Sequence, residues 1–314
     1  MLPIIKNSKI WLTFSASLVL ASLVFIFTIG LNLSADFVPG TMMKLSFAKQ
    51  IDNVALTEFM SKDINMQLVE LNKTTESAGE YSDLGEPQVR TLSNGITAIR
   101  TLRQSDATQN YVLQSLQDKF GAYEISEIRN ISPTFAQTFM YRAYVAILVA
   151  IVAIIAYIAY AFRHVPRHVE AWKFGAIAVV ALIHDVTITS GIFVLLGYFL
   201  GVEIDALFIT ALMTILGYSV NDTIVVFDRI RENLKNIRRD ESFADVAELS
   251  VNQTIGRSIN TSFSTLITLF ALLILGPESI RWFVLALVIG ISFGTYSSIF
   301  VAAPLLTLWQ KKYR

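Results

Sequence analysis

The sequence predicts an α-helical polytopic membrane protein: six transmembrane helices, with an α+β domain inserted between the first and the second. Three observations predict it. Of the 314 residues, 54% are hydrophobic and 16% charged, where soluble domains carry roughly 25% charge, and the mean hydropathy is +0.54. Six apolar runs reach or approach the roughly 20 residues that a spanning helix needs. One long polar stretch, Leu31 to about Gln137, interrupts them and is long enough to fold alone. Zero net charge argues against a nucleic-acid partner, whose footprint is a basic patch. The absence of cysteine removes disulfides and thiolate chemistry.

The six runs are about Ile10–Ile29, Phe139–Tyr160, Phe174–Tyr198, Ala206–Phe227, Ile259–Leu275 and Arg281–Leu308, the last long enough to include an interfacial turn. The first has no A-x-A-like site after it and reads as an uncleaved anchor. Lys6 and Lys9 precede the first run. Arg163, Arg167 and Lys173 lie between the second and third; Arg229, Arg231, Lys235, Arg238 and Arg239 follow the fourth; Lys311, Lys312 and Arg314 close the chain. The loop Phe199–Asp205 has no Lys or Arg, and the loop around Pro277 has only Arg281. Positive loops mark the cytoplasmic side, so both termini are expected there and the polar insert outside. The expected domains are 1–30, 31–137 and 138–314: first helix, external domain and five-helix bundle.

Within the insert, Met42–Phe47 alternates as a strand does. Asn53–Lys62 has helical spacing, with Val54, Phe59 and Met60 as buried positions, and Gln67–Leu71 reads as a strand. Glu86–Leu92 and Ile96–Leu102 flank Ser93-Asn94-Gly95 and read as a hairpin, because Asn-Gly suits a tight turn. Asp106 is the expected N-cap of a helix to about Phe120, ended by Gly121. Tyr123–Ile131 alternates again. The order βαββαβ fits a ferredoxin-like sandwich, a docking or substrate-touching module without a metal, phosphate or nucleophile constellation.

Ionisable residues inside a bilayer cost roughly 2.5–3.5 kcal/mol each on insertion scales. Asp185 lies about halfway along the third run beside His184. Asn221, Asp222 and Thr223 lie toward the cytoplasmic end of the fourth. Arg257, Asn260, Thr261 and Ser262 open the fifth. The fourth run goes inward and the fifth outward, so Asp222 and Arg257 are expected at comparable depth, as a proton relay or a static ion pair. Asp185 is either a second relay group or a hydrogen-bonded packing carboxyl, and His184 an interior histidine. His164 and His168 are spaced to share a helix face, but Pro166 lies between them; they read as a solvated loop. Asp228, Arg229, Arg231 and Glu232 read as an interfacial, salt-bridged helix start. Gly290 and Gly294 form a G-x-x-x-G pattern, suited to close helix packing within the chain.

The run Leu212-Met213-Thr214-Ile215-Leu216-Gly217-Tyr218-Ser219-Val220-Asn221-Asp222-Thr223-Ile224-Val225-Val226-Phe227-Asp228-Arg229-Ile230-Arg231-Glu232-Asn233 resembles the fourth-span signature of the SecF branch of the SecD/SecF family. Ala181–Asp185, Arg257–Ser262 with Thr265-Leu266, and Gly290 through Ile299 resemble its third-, fifth- and sixth-span motifs. The resemblance covers the whole chain. Two junctions depart from the family: Ser34-Ala35-Asp36-Phe37-Val38-Pro39-Gly40 keeps Asp36, Phe37 and Gly40 of a hinge element but replaces two glycines, and Ile131-Ser132-Pro133 loses another. Serine and proline restrict backbone that glycine leaves free, so this hinge is expected to be stiffer.

The resemblance implies a subunit of the Sec preprotein translocase in the bacterial inner membrane, its inserted domain periplasmic. Paired with SecD and working after the ATP-driven stage powered by SecA, it would use the proton motive force to complete export through SecYEG; YajC is a further implied partner. Asp222 would bind the proton with Arg257 as its partner and Asp185 as a further relay group; Asn221, Thr223, Asn260, Thr261 and Ser262 would support them. Translocating preproteins and lipids are the other partners; no cofactor, metal or catalytic residue is implied. Two alternatives stay open: a small-solute or lipid exporter subunit of the resistance–nodulation–division type, or a non-conducting assembly subunit. The coupling ion, proton or sodium, is left open.

Overall fold

The computed structural model describes residues 1–34, 36–49, 51–74, 81–92, 95–162, 171–235 and 241–310. In chain order its elements are α1 (Ser8–Thr28), β1 (Gly40–Phe47), α2 (Asn53–Glu58), a π-helical segment (Phe59–Ile64), α3 (Asn65–Thr74), β2 (Gln88–Thr91), β3 (Thr97–Thr101), α4 (Asp106–Phe120), β4 (Tyr123–Ile131), α5 (Pro133–Ala161), α6 (Ala171–Leu200), α7 (Ala206–Leu234), α8 (Phe243–Leu275), a 3₁₀ turn (Glu278–Ile280), α9 (Arg281–Ser297), a second π segment (Ser298–Ala302) and α10 (Ala303–Trp309). Among the described residues, six helical stretches are long and apolar enough to cross a membrane. The sixth runs from the 3₁₀ turn through α10, and its interior irregularity is the π segment rather than an interfacial turn. Pro304, which lacks an N–H, stands two residues beyond that segment, at the second position of α10.

The chain divides into two compact units. One comprises 1–31, 144–195 and 206–314; the other 32–143 and 196–205. The second therefore takes in the connection between α6 and α7 as well as the insert. Its sheet is antiparallel in the order β2-β3-β1-β4. Met43, Leu45 and Ile99 point from one sheet face into a core completed by Leu56, Met60, Ile64, Leu68, Val112 and Leu116.

Three expectations are corrected here. Gln67–Leu71 is not a strand: it lies within α3, continuous with α2 through the π segment. Leu56, Met60, Ile64 and Leu68 recur every four residues and are all buried, a helical face slightly longer than the 3.6-residue period, which a π turn accommodates. Val54 is exposed, and Leu56 occupies the buried position instead. The N-cap of α4 is Ser105, whose hydroxyl accepts from the Thr108 N–H (3.2 Å); Asp106 stands inside the first turn, where its charge suits the positive end of the helix. The hairpin residues Ser93 and Asn94 lie outside the described residues; Leu92 N–H donates to the Ile96 carbonyl (2.8 Å), and Gly95 takes φ +80°.

The two altered junctions have local reasons. The Ser132 hydroxyl accepts from the Phe135 N–H (3.2 Å) at the start of α5, with Pro133 in the first turn, a favoured cap arrangement. Ser34 accepts from the Asp36 N–H (3.2 Å). Asp36 pairs with Arg129 (3.2 Å), and Phe37 is buried against Phe139. Gly40 is required: φ is +143°, and a Cβ there would meet the Thr101 carbonyl oxygen at 2.3 Å.

In the membrane unit, the only buried residues of α1 are Ser8, Ser15 and Ser22. Ser22 lets α1 approach α6 so closely that a Cβ at Gly191 would sit 2.4 Å from Ser22 Cβ, while Ser15 reaches Tyr296 of α9. Gly290 and Gly294 of α9 face Ile215 and Ser219 of α7 in the same manner, so the G-x-x-x-G pattern packs within the chain.

Candidate functional site

The site forms where α6, α7, α8 and α9 meet, because small residues along the α7–α9 seam bring polar side chains within hydrogen-bond reach. Asp185 on α6 is fully buried. One carboxylate oxygen accepts from Ser219 on α7 (2.6 Å) and Ser297 on α9 (2.8 Å). The other lies 2.9 Å from His184 Nδ1. Three helices are thus joined at one carboxylate. The His184 ring stacks on Tyr296, whose hydroxyl reaches Ser15 (3.0 Å); His184 Nε2 is buried without a hydrogen-bond partner.

Asp222 lies one turn beyond Ser219 on α7 and is 3% exposed. Ser262 of α8 donates to it (3.3 Å) and also contacts Thr295 of α9. Asp222 therefore sits on hydroxyls from two neighbouring helices. Among the described residues it forms no ion pair with Arg257, although Arg257 lies within electrostatic range. Of the two alternatives, the static ion pair is thus not made among the described residues. Arg257 is exposed on α8, one residue away from the buried face that carries Ser258 and Ser262.

Of the supporting residues, Thr223 is buried and donates to the Ser219 carbonyl (3.2 Å). Asn221, Asn260 and Thr261 are exposed. Thr261 donates to the Arg257 carbonyl (3.0 Å), and its own carbonyl accepts from Tyr218 (3.1 Å). Asp228 and Arg231 pair, as do Arg229 and Glu232 (2.6 Å); they end α7 rather than start a helix. His164 and His168 lie outside the described residues. Among the described residues no three His, Cys, Asp or Glu side chains lie together as a metal site would need.

Ser219, Ser297 and Tyr296 were not singled out as partners from the sequence; the usable signal was Ser219 one turn before Asp222. Glu248 was also missed. Buried near the start of α8, it accepts from the N–H groups of Ile4 (2.6 Å) and Lys6 (3.0 Å), holding the N-terminal segment by an acidic side chain that no spacing pattern marks.

Known proteins resemble this arrangement over the full chain. Residues 111–312 match the family model described as "Protein export membrane protein SecD/SecF, C-terminal". "Protein translocase subunit SecF" of Thermobaculum terrenum is 36% identical, over 99% of this chain and 95% of that protein. The proteins of the same description from Rhodothermus marinus and Vibrio alginolyticus are 36% and 33% identical, over 97% and 95% of this chain and 92% and 86% of theirs. Among solved structures, SecDF from Thermus thermophilus, described as a translocon-associated membrane protein, superposes with a TM-score of 0.78 at 29% identity. The match covers 99% of this chain and 39% of that longer one.

Proposed function

The chain belongs to the SecD/SecF family of protein-export membrane proteins, and from that premise we propose that it is the SecF-type subunit which, with a SecD partner, uses the proton motive force to complete preprotein export. The partner occupies the remainder of the longer SecDF arrangement. The inserted βαββαβ unit is read as a ferredoxin-like periplasmic domain, the six helices as an inner-membrane bundle with both termini cytoplasmic. SecYEG is the channel served, SecA supplies the preceding ATP-driven stage, and YajC is a further associated subunit.

One observation carries the reading: Asp222 is buried on α7 and held by hydroxyls from neighbouring helices, without an ion pair among the described residues. An ionised carboxylate only accepts hydrogen bonds, whereas a protonated one donates one. Hydroxyls rotate to suit either state. Proton arrival at Asp222 therefore reverses a hydrogen bond between α7 and its neighbours. Proton departure restores it, with exposed Arg257 as the nearby cation. Asp185, bonded to α6, α7 and α9 at once, is the second relay group and passes a change at Ser219 to α6. Each charge moved across the membrane supplies about 2.3 kcal/mol per 100 mV.

The test is reconstitution with a SecD partner and SecYEG, following preprotein movement under an imposed proton gradient once ATP-driven insertion has begun. In Asp222→Asn the gradient-driven movement should fall to background while the complex still assembles. Unchanged movement would overturn the reading and favour an assembly subunit.

A further inference from the structure

The connection between α6 and α7 is stitched into the sheet unit. Leu33 and Ile204 form a parallel bridge, with Ser34 N–H donating to the Ile204 carbonyl (2.9 Å) and Ile204 N–H to the Asn32 carbonyl (2.7 Å). Asn32 uses both ends of its amide. Its Nδ2 donates to the carbonyls of Val202 (3.0 Å) and Gly201 (3.3 Å), and its Oδ1 accepts from Arg90 on β2 (2.8 Å). Arg100 on β3 donates to the Leu33 carbonyl (2.6 Å). Val202 and Ile204 are both 3% exposed. Gly201 takes φ +71°, and a Cβ there would lie 3.2 Å from Leu92. Arg100 and Glu203 are both half-buried and attract each other.

The covalent links between insert and membrane run through α1 and α5. Neither helix carries Asp185 or Asp222, which lie on α6 and α7. We propose that the 201–205 strap is the lever that joins the outer unit to these two helices, with Asn32 and Arg100 as the positioning residues that keep it engaged throughout gradient-driven transport. The inference rests on the export reading above and adds the route by which a change at the carboxylates reaches the outer unit. Hydrogen bonds to a charged group such as Arg100 contribute more than neutral ones, so these two side chains are where the strap is most readily released.

The chain has no cysteine, so Leu33→Cys with Ile204→Cys offers a single intramolecular disulfide. Bridged neighbours on adjacent strands lie about 5 Å apart, within disulfide range. Asn32→Ala with Arg100→Ala should lose most gradient-driven preprotein movement in the reconstituted complex while keeping the ATP-driven stage and assembly. Adding the cysteine pair to that variant and oxidising it should restore movement, and reduction should remove it again. The oxidised pair in an otherwise unaltered chain should move preprotein normally. Arrest by that disulfide, full activity of Asn32→Ala with Arg100→Ala, or failure of oxidation to rescue would each overturn the lever. Amide exchange at Val202 and Ile204, read on the same samples, should rise in the alanine variant; unchanged exchange overturns the stitching whatever transport shows. An unaltered chain without any gradient dependence sinks the export reading instead.

Discussion

At the scale of single residues, the sheet unit holds two glutamates pushed in opposite directions. Burial disfavours ionised Glu127, but Lys44 (3.0 Å) and Arg129 outweigh it and hold its carboxyl below the ordinary glutamate value. Burial pushes Glu203 up; Lys44 and Arg100 only partly offset this, while Glu127 and Asp205 add to it. A depressed carboxyl contributes stability above its unfolded value and loses it as pH falls through the folded one. A raised carboxyl contributes stability below its unfolded value and loses it as pH rises through the folded one. Glu127→Gln should therefore weaken amide protection of β1 and β4 at neutral pH, with the deficit closing in acid. Glu203→Gln should strengthen protection around Ile204 at neutral pH, with the gain closing as pH falls below the usual glutamate range. Amide exchange on the full chain, each variant compared with the unaltered protein at each pH, reads both; equal pH trends for the two would refute the assignment.

At the scale of elements, the α7–α9 seam depends on glycine being present. A Cβ at Gly290 would meet Ile215 side-chain atoms at 2.1 and 2.4 Å, and overpacking of this kind costs about 1–3 kcal/mol. Gly290→Ala should lower stability by that amount, and Ile215→Ala in the same chain should recover part of it; additive losses in detergent unfolding would show that the two do not touch. The seam was legible as G-x-x-x-G, and the spans as apolar runs, because both signals are local and repeat. The serine seam of α1 was not legible, since its residues stand seven apart amid large apolar side chains that face outward. Gln67–Leu71 misread as a strand because a stretch of five residues with three apolar ones is too short to fix its period; the four-residue recurrence from Leu56 to Leu68 held the answer. In the site, Asp185 and Asp222 stood out as charges in apolar runs. Of their hydroxyl partners, Ser262 was named from the sequence and does reach Asp222; Ser219 and Ser297 were not, because serine and threonine are ordinary in membrane helices and only packing decides which of them reach a carboxylate.

At the scale of the whole molecule, the proposed sidedness is consistent with two independent pairings. Leu2, Ile4 and Lys6 hydrogen-bond to Asn252 and Glu248 near the start of α8, so the N-terminal segment and the α7–α8 connection share one side. Asn32 and Ser34, just past α1, bond to the α6–α7 connection, so these two share a side. The proposed reading puts the two connections on opposite membrane faces and, from the lysine and arginine distribution, the first of them in the cytoplasm. The cysteine-free chain makes this directly measurable. Single cysteines at exposed Gln117 on α4 and exposed Glu278 in the turn before α9 should react with a membrane-impermeant maleimide from outside intact cells stripped of their outer membrane. A cysteine at exposed Lys235 after α7 should react only once the inner membrane is opened. The reverse pattern would place the sheet unit in the cytoplasm, where it could not meet a preprotein emerging outward, and would remove the export reading together with the lever built on it.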